Sequence, residues 1–276
     1  MRGEIALTLR APLDRPVDAS ELGLTRAAEL GAGEIARRTV RVAGAGPVPL
    51  GELFEVRGGG PGAERVRFAG DLGQVEGLGA GWEAGELLIE GDVGRMVGAR
   101  MKGGRIEVRG RAGWGAGLDM AGGVLEIRGD AGPRAGGAPL GAKRGMSGGE
   151  ILIRGSAGPE AGAAMRRGLV VVAGDAAEGA GRGTIAGTVV VFGAVGPAPG
   201  QWSKRGTIVA LGPVEPGPTY RYTCTYRPEY LVLLLKHLAE RRGVPAAARY
   251  LSGSYRRYSG DLAELGAGEI LAWTPS

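Results

Sequence analysis

Four aspartates, Asp71, Asp92, Asp130 and Asp175, each follow a glycine at related positions of a 276-residue chain. A row of carboxylates at fixed spacing could hold a metal ion or share acid–base work. Arg111, Ser156 and Ala194 interrupt the row, and Gly-Asp is ordinary turn chemistry, so structural turns are the expectation. Met101, Met120, Met146 and Met165 form a second series, continued by Thr184 and Ser203. Methionine locked to a repeat reads as core filler rather than as a metal box. GLGAG at Gly77–Gly81 and GAG at Gly179–Gly181 have the composition of phosphate loops. They lack the preceding strand and following helix that a dinucleotide fingerprint needs. Cys224 and His237 are the only residues of their kinds. One cysteine excludes an internal disulfide and thiolate metal clusters, and one histidine leaves little for zinc, haem or a histidine base. Cys224, in the alternating segment YRYTCTY, is expected to be buried, and His237 to sit on a helix as a surface or packing residue.

The basic residues form a third set. Lys102, Arg144, Arg166, Arg167, Lys204 and Arg205 fall just after the methionine column or in the adjoining insertion. If equivalent positions stack, these cations share one edge, which could hold an acidic ligand; a scattered, solvated edge is the plainer alternative. The net charge of +5 points to an acidic partner. Nucleic acid is disfavoured, because only 5% of residues are aromatic and no stacking platform is evident.

Glycine is what would position these side chains. The chain has 56 glycines and 16 prolines, a share of glycine near 20% where about 7% is usual. Disorder is opposed by a hydrophobic content of 43%, and collagen by the lack of a three-residue period. The period is longer. Gly91, Gly110, Gly129, Gly155, Gly174, Gly193 and Gly212 are spaced 19, 19, 26, 19, 19 and 19 residues apart, the long step carrying seven extra residues within PRAGGAPLGAKRGMSGG. Each unit reads G-D-x-G-x-x-x-G-x-x-M-x-x-G-x-I-x-I-x.

Two apolar columns precede each closing glycine. One runs Phe54, Val66, Leu87, Ile106, Leu125, Ile151, Val170, Val189 and Ile208; the other runs Val56, Phe68, Ile89, Val108, Ile127, Ile153, Val172, Val191 and Ala210. One short strand per unit cannot pair with itself, but it can pair in parallel and in register with its equivalent in the next unit. The expected fold is all-β, a right-handed parallel β-helix of about 19-residue coils.

Residues 1–47 are expected to form a short lead, with a strand near Glu4–Leu9 and helix material near Leu24–Arg37. Residues 48–218 form the glycine-rich body, and 219–276 a closing region. In the last units the outward positions turn apolar, as in Leu169 and Val171 or Val190 and Phe192, so they need a cover. The segment Pro228–Arg242 reads as that cover, a helix with proline at its first position, Gly243 as its stop and an apolar stripe of Tyr230, Leu231, Leu234, Leu235 and Leu238. Tyr255, Arg256, Arg257 and Tyr258 are expected at the tip of a following extended element. No apolar run reaches 18 residues, so no membrane span is expected. The start, MRGEIALTLRAPLDRP, is too acidic and its apolar stretch too short for a signal peptide, which makes the cytoplasm the expected location.

The 19-residue unit resembles the glycine-rich β-helix of the glutamate synthase C-terminal domain. More closely it resembles the C subunit of formylmethanofuran dehydrogenase and its bacterial counterpart, the C subunit of the formyltransferase/hydrolase complex. VPLGELFEVRG (Val48–Gly58) is similar to that family's lead-in segment. YRRYSGDLAELGAGEIL (Tyr255–Leu271) is similar to its closing segment, with Gly260, Asp261, Gly266, Gly268 and Glu269 as the matching residues. The resemblance implies a structural subunit without its own active site or metal, in a complex that handles a formyl group on a methanofuran-type cofactor. In the bacterial version a formyltransferase subunit moves formyl from formyl-tetrahydromethanopterin to the furan, and an amidohydrolase-like subunit releases formate. A third partner is related to the dehydrogenase B subunit. The archaeal alternative is a tungsten or molybdenum dehydrogenase. The family's furan cofactors carry glutamate tails, which would give the edge of Lys102, Arg144, Arg166, Arg167, Lys204 and Arg205 a ligand.

Other readings fit less well. A secreted polysaccharide lyase would carry an acid–base cluster on one face. Hexapeptide acyltransferases have turns in multiples of six and commonly a histidine within the coils. A detached glutamate-synthase-like domain that positions other domains by packing remains an alternative.

Overall fold

The computed structural model describes residues 3–24, 30–59, 63–244 and 250–275. Its elements begin with β1 (Gly3–Leu9), β2 (Val17–Asp18), α1 (Ala32–Arg37), β3 (Thr39–Val42), β4 (Gly46–Pro49), α2 (Leu50–Leu53) and β5 (Phe54–Gly58). The repeat supplies β6 (Ala63–Ala69), β7 (Val75–Glu76), β8 (Glu86–Glu90), β9 (Arg105–Val108), β10 (Val124–Ile127), β11 (Glu150–Ile153), β12 (Leu169–Val172), β13 (Thr188–Val191) and β14 (Thr207–Ala210). The chain closes with β15 (Arg221–Tyr226), α3 (Glu229–Arg242), β16 (Ser254–Gly260) and β17 (Gly268–Thr274). Part of the helix expected near Leu24–Arg37 lies outside the described residues; α1 is its described portion.

The protein is mostly β, dominated by one 13-stranded, mostly parallel sheet. From β6 to β14, β7 apart, each strand pairs in parallel with its equivalent in the next unit; β7 instead pairs in parallel with β2 in a second, four-stranded sheet of order β4-β3-β2-β7. Short Val- and Ile-rich strands suit this, because their branched side chains pack well on a pleated surface. Strict register places Leu87 on Ile106, Ile106 on Leu125, and so on to Ile208. Most of these side chains are fully buried.

A second parallel ladder of single bridges runs Leu72, Val93, Ala112, Ala131, Ala157, Ala176, Val195 and Val214. The small residues of this ladder and the methionine series, Met101 to Met165 with Thr184 and Ser203, are likewise buried. A third zone has left-handed backbone at alternate residues: Gly77, Gly79 and Gly81, then Met96, Gly98 and Arg100, and their equivalents. Hydrogen bonds tie it unit to unit in both directions. Met96 N–H donates forward to Trp114 O at 2.8 Å, Gly98 N–H back to Leu78 O at 2.9 Å, and Arg100 N–H forward to Leu118 O at 2.8 Å.

The seven-residue insertion leaves this register without disturbing it. The chain departs at Gly137 and returns at Gly145, and the two backbones lie so close that a Cβ on Gly145 would stand 2.6 Å from the Gly137 carbonyl carbon. Residues 138–144 thus form a surface loop with a pinched base, and Leu140 at its tip is 74% exposed.

Both ends of the sheet depart from the sequence reading. Phe54 and Val56 do not form the first rung of the apolar columns. β1 takes that place, parallel to β6 with Ile5 on Val66 and Leu7 on Phe68, because its alternating Ile5 and Leu7 fill the same inward positions. β5 lies antiparallel beyond β1 as the edge strand. At the other end β17 adds a further parallel rung, Ile270 on Ile208 and Ala272 on Ala210. β16 and β15 then continue antiparallel. Tyr255–Tyr258 are therefore mid-strand, not at a tip. Cys224, on the outermost strand, is half-exposed rather than buried.

α3 covers the apolar outer face. Leu231, Leu235 and Leu238 pack with Leu152, Val171, Val190, Val209 and Leu271 in a second core. Pro228 stands at the N-cap, one position before the helix proper, and Gly243 ends it in the left-handed conformation at φ 59°.

Candidate functional site

The expected basic edge is a row of equivalent corners. Lys102, Arg166 and Lys204 each donate a backbone N–H to the unit before, to Trp82 O at 2.7 Å, Met146 O at 2.7 Å and Thr184 O at 2.8 Å. Ala121, Ser147 and Ile185 occupy the corners between them. With rungs about 4.8 Å apart, Arg166 and Lys204 are roughly 10 Å apart along the stack, and Lys102 lies about 14 Å from Arg166 on the other side. Lys102 already has a carboxylate, its Nζ 2.7 Å from Glu83. Arg144, Arg166, Arg167, Lys204 and Arg205 are exposed and have no ion-pair partner among the described residues. Gly145 N–H donates to Ala164 O at 2.8 Å, which fixes the base of the loop carrying Arg144 beside the corner of Arg166 and Arg167. The backbone thus sets the base of the Arg144 loop beside the corner of Arg166 and Arg167, with Lys204 and Arg205 two rungs on and Lys102 three rungs back.

The carboxylates have structural work. Asp92, Asp130 and Asp175 accept the backbone N–H of Arg111, Ser156 and Ala194 in the following unit, at 2.7, 2.8 and 2.7 Å. The bond from Arg111 outweighs the cost of burial and holds the Asp92 carboxyl below its ordinary value. Where serine replaces aspartate, Ser156 Oγ accepts from Asp175 N–H at 3.1 Å. Glu126, 2% exposed, is ringed by Arg105, Arg128 and Arg154. Glu150 binds Arg242 and His237 of α3, the latter at 3.2 Å, so His237 anchors the helix. Among the described residues no cluster of three His, Cys, Asp or Glu side chains could hold a metal ion, and no helix is long and apolar enough to cross a membrane.

Two surface pockets have no counterpart in the sequence reading. One, of about 260 Å³, lies among Ala80, Met96, Ala99, Leu118 and Pro139, with Arg100 and Asp119 at its rim. The other, of about 200 Å³, lies where the repeat ends, among Ala198, Gln201, Trp202, Pro218, Tyr220 and Asp261. Asp261 is buried, and its carboxylate accepts the N–H of Trp202 at 2.8 Å and of Ala263 at 2.9 Å. Burial alone would raise its pKa, but these bonds and the Thr219 hydroxyl hold it below its ordinary value. Tyr220 covers the last unit, its hydroxyl donating to Gly200 O at 3.0 Å. Burial first, and then the Asp261 charge, push that phenol up to about 12. The sequence does carry a signal for this end: Trp202 stands in a column where the preceding unit has Gly183.

No protein-family model matches the chain, nor does any curated protein sequence. Among solved structures, a chain of the formyltransferase/hydrolase complex (FhcABCD) from Methylorubrum extorquens, crystallised in complex with methylofuran, superposes with a TM-score of 0.86. The two are 38% identical over 98% of this chain and 99% of that one. With likeness at that level over nearly its whole length, the chain belongs to the family of formyltransferase/hydrolase complex subunits.

Proposed function

We propose that the chain is the C subunit of a formyltransferase/hydrolase complex, a structural component without its own active site that works in the cytoplasm. Its repeat is read as a right-handed parallel β-helix against which the formyltransferase and amidohydrolase-like subunits are mounted, together with a third subunit related to the dehydrogenase B subunit. The reaction served is formyl transfer from formyl-tetrahydromethanopterin to a methanofuran-type cofactor, then hydrolysis to formate. The end-to-end likeness to a chain of the complex crystallised with methylofuran carries this reading. It is supported by carboxylates committed to backbone N–H groups and to arginines within the chain.

The cofactor, when bound, carries the formyl group. The part this chain can hold is an acidic tail. Arg144, Arg166 and Arg167 have unspent charge around one corner, which fits a chain of carboxylates; Lys204 and Arg205 lie two rungs away. Lys102, paired with Glu83, contributes least.

Replacing Arg144, Arg166 and Arg167 together by glutamine tests this. Three exposed charges at a few tenths of a kcal/mol to about 1 kcal/mol each predict roughly tenfold weaker retention of methylofuran by the purified complex, with a smaller dependence on salt. Unchanged cofactor content at low and high salt would overturn the tail-binding role.

A further inference from the structure

The end of the repeat has a different chemistry from its sides. In each unit the first left-handed residue donates its N–H forward: Gly77 to Arg95 O, Met96 to Trp114 O, Gly115 to Pro133 O, Arg134 to Pro159 O, Glu160 to Glu178 O and Gly179 to Pro197 O, all at 2.8–2.9 Å. The next in line, Ala198, has no acceptor for its N–H among the described residues. The companion series ends otherwise: Gly183 N–H donates to Gln201 O at 2.7 Å, and Trp202 N–H finds the Asp261 carboxylate. At that terminus a carboxylate replaces the carbonyl of a further unit, and the donor of Ala198, beside it in the same pocket, is left for an acceptor from outside.

The side chains around this pocket suit a protein partner. Trp202 is 48% exposed and keeps a left-handed backbone at φ 62°, where its equivalent Gly183 has φ 64°. Left-handed side-chain-bearing residues recur in this zone, as at Arg100 with φ 56°, and Trp202 is the aromatic one among those described. Arg182 stacks on the indole 4.3 Å from the ring centroid. Leu262 and Leu265, in the turn that brings Asp261 to Trp202, are 56% and 62% exposed. Lys204 and Arg205 follow directly, without ion-pair partners among the described residues. A pocket of about 200 Å³ is below the roughly 300 Å³ at which sites for drug-sized ligands begin, and its size suits one apolar side chain.

We propose that this end of the sheet is a docking face for another subunit of the complex. That partner inserts an apolar side chain beside Trp202, Leu262 and Leu265, gives a main-chain or carboxylate oxygen to Ala198 N–H, and sets acidic residues against Lys204 and Arg205. The inference rests on the scaffold reading above and adds the surface at which it acts.

Trp202→Gly separates docking from folding, because glycine is at ease in this backbone while the exposed indole, a typical interface anchor, is removed. With the variant co-expressed with the other subunits, the recovered chain is expected to keep the wild-type melting temperature within a few degrees and to carry roughly tenfold less of at least one partner. A folded variant with wild-type subunit stoichiometry would overturn the proposal. Should Trp202→Gly not fold, the surface variant Leu262→Ser/Leu265→Ser decides by the same stoichiometry. A wild-type chain that carries no partner would instead overturn the scaffold reading itself.

Discussion

At Glu126 a carboxylate stands 2% exposed among Arg105, Arg128 and Arg154, the last two at 3.2 and 2.8 Å. Arg154 also donates to the main-chain carbonyls of Arg242 and Gly243 at the end of α3. Glu126 therefore neutralises the residue that grips the helix terminus. The arginines left behind are partly open to water, so Glu126→Ala is expected to cost about 1–3 kcal/mol, the range for hydrogen bonds to a charged group, measured by urea unfolding. A loss under about 1 kcal/mol, the worth of an exposed pair, would show that water already screens the three arginines. The alternation of Arg105, Glu107 and Arg109 suggests a solvated outer face, and in the first units the outer face does carry exposed ion pairs such as Arg65–Glu86. Glu126 differs only because a helix from far along the chain ends over it, which no local pattern encodes. Trp202 is a fainter signal, the aromatic member of a column that runs Gly81, Arg100, Asp119, Ala164 and Gly183.

At the scale of elements, α3 is legible in the sequence. Pro228 and Gly243 punctuate it, and Leu231, Leu235 and Leu238 recur at helical spacing on the buried face. Tyr230 shares that stripe by spacing but is 46% exposed. What spacing cannot supply is the polar anchor. Burial would push the Glu150 carboxyl up, but Arg242 and then His237 outweigh it and hold the group below the usual carboxylate range. A carboxylate so lowered stabilises the fold fully above its unfolded value, near 4.5, and the contribution is lost as pH falls through the folded value. Glu150→Gln should therefore cost about 1–2 kcal/mol at neutral pH. The gap from wild type should close as pH falls through the lowered folded value; a gap that persists in acid would assign the effect to packing. β17 leaves no trace in the period, since its partner β14 lies some sixty residues earlier and its alternation is that of any amphipathic strand.

For the whole molecule, the 19-residue period determines the parallel register from Leu87 to Ile208, because stacked equivalents leave a one-residue slip no favourable alternative. The ends are not legible in the same way, as the period stops there and strands from outside the repeat, β1 and β17, complete the sheet. This completion has a measurable consequence. A chain lacking residues 219–276 would expose both the free edge of β14 and the apolar face of Leu152, Val171, Val190 and Val209. Exposed edges and apolar patches drive association, so it should sediment as oligomers or aggregates. A monodisperse monomer would show that the repeat is self-sufficient.

The pinched loop at 138–144 sets a rule for chain length. Elsewhere between Leu87 and Ile208 the step is a constant 19 residues, whereas here the departure and return points touch. The backbone between them can lengthen with little effect on register. A tag or a short dye-binding peptide placed between Leu140 and Gly141 would therefore ride on an intact sheet, and could follow assembly of the complex without disturbing the end at Trp202.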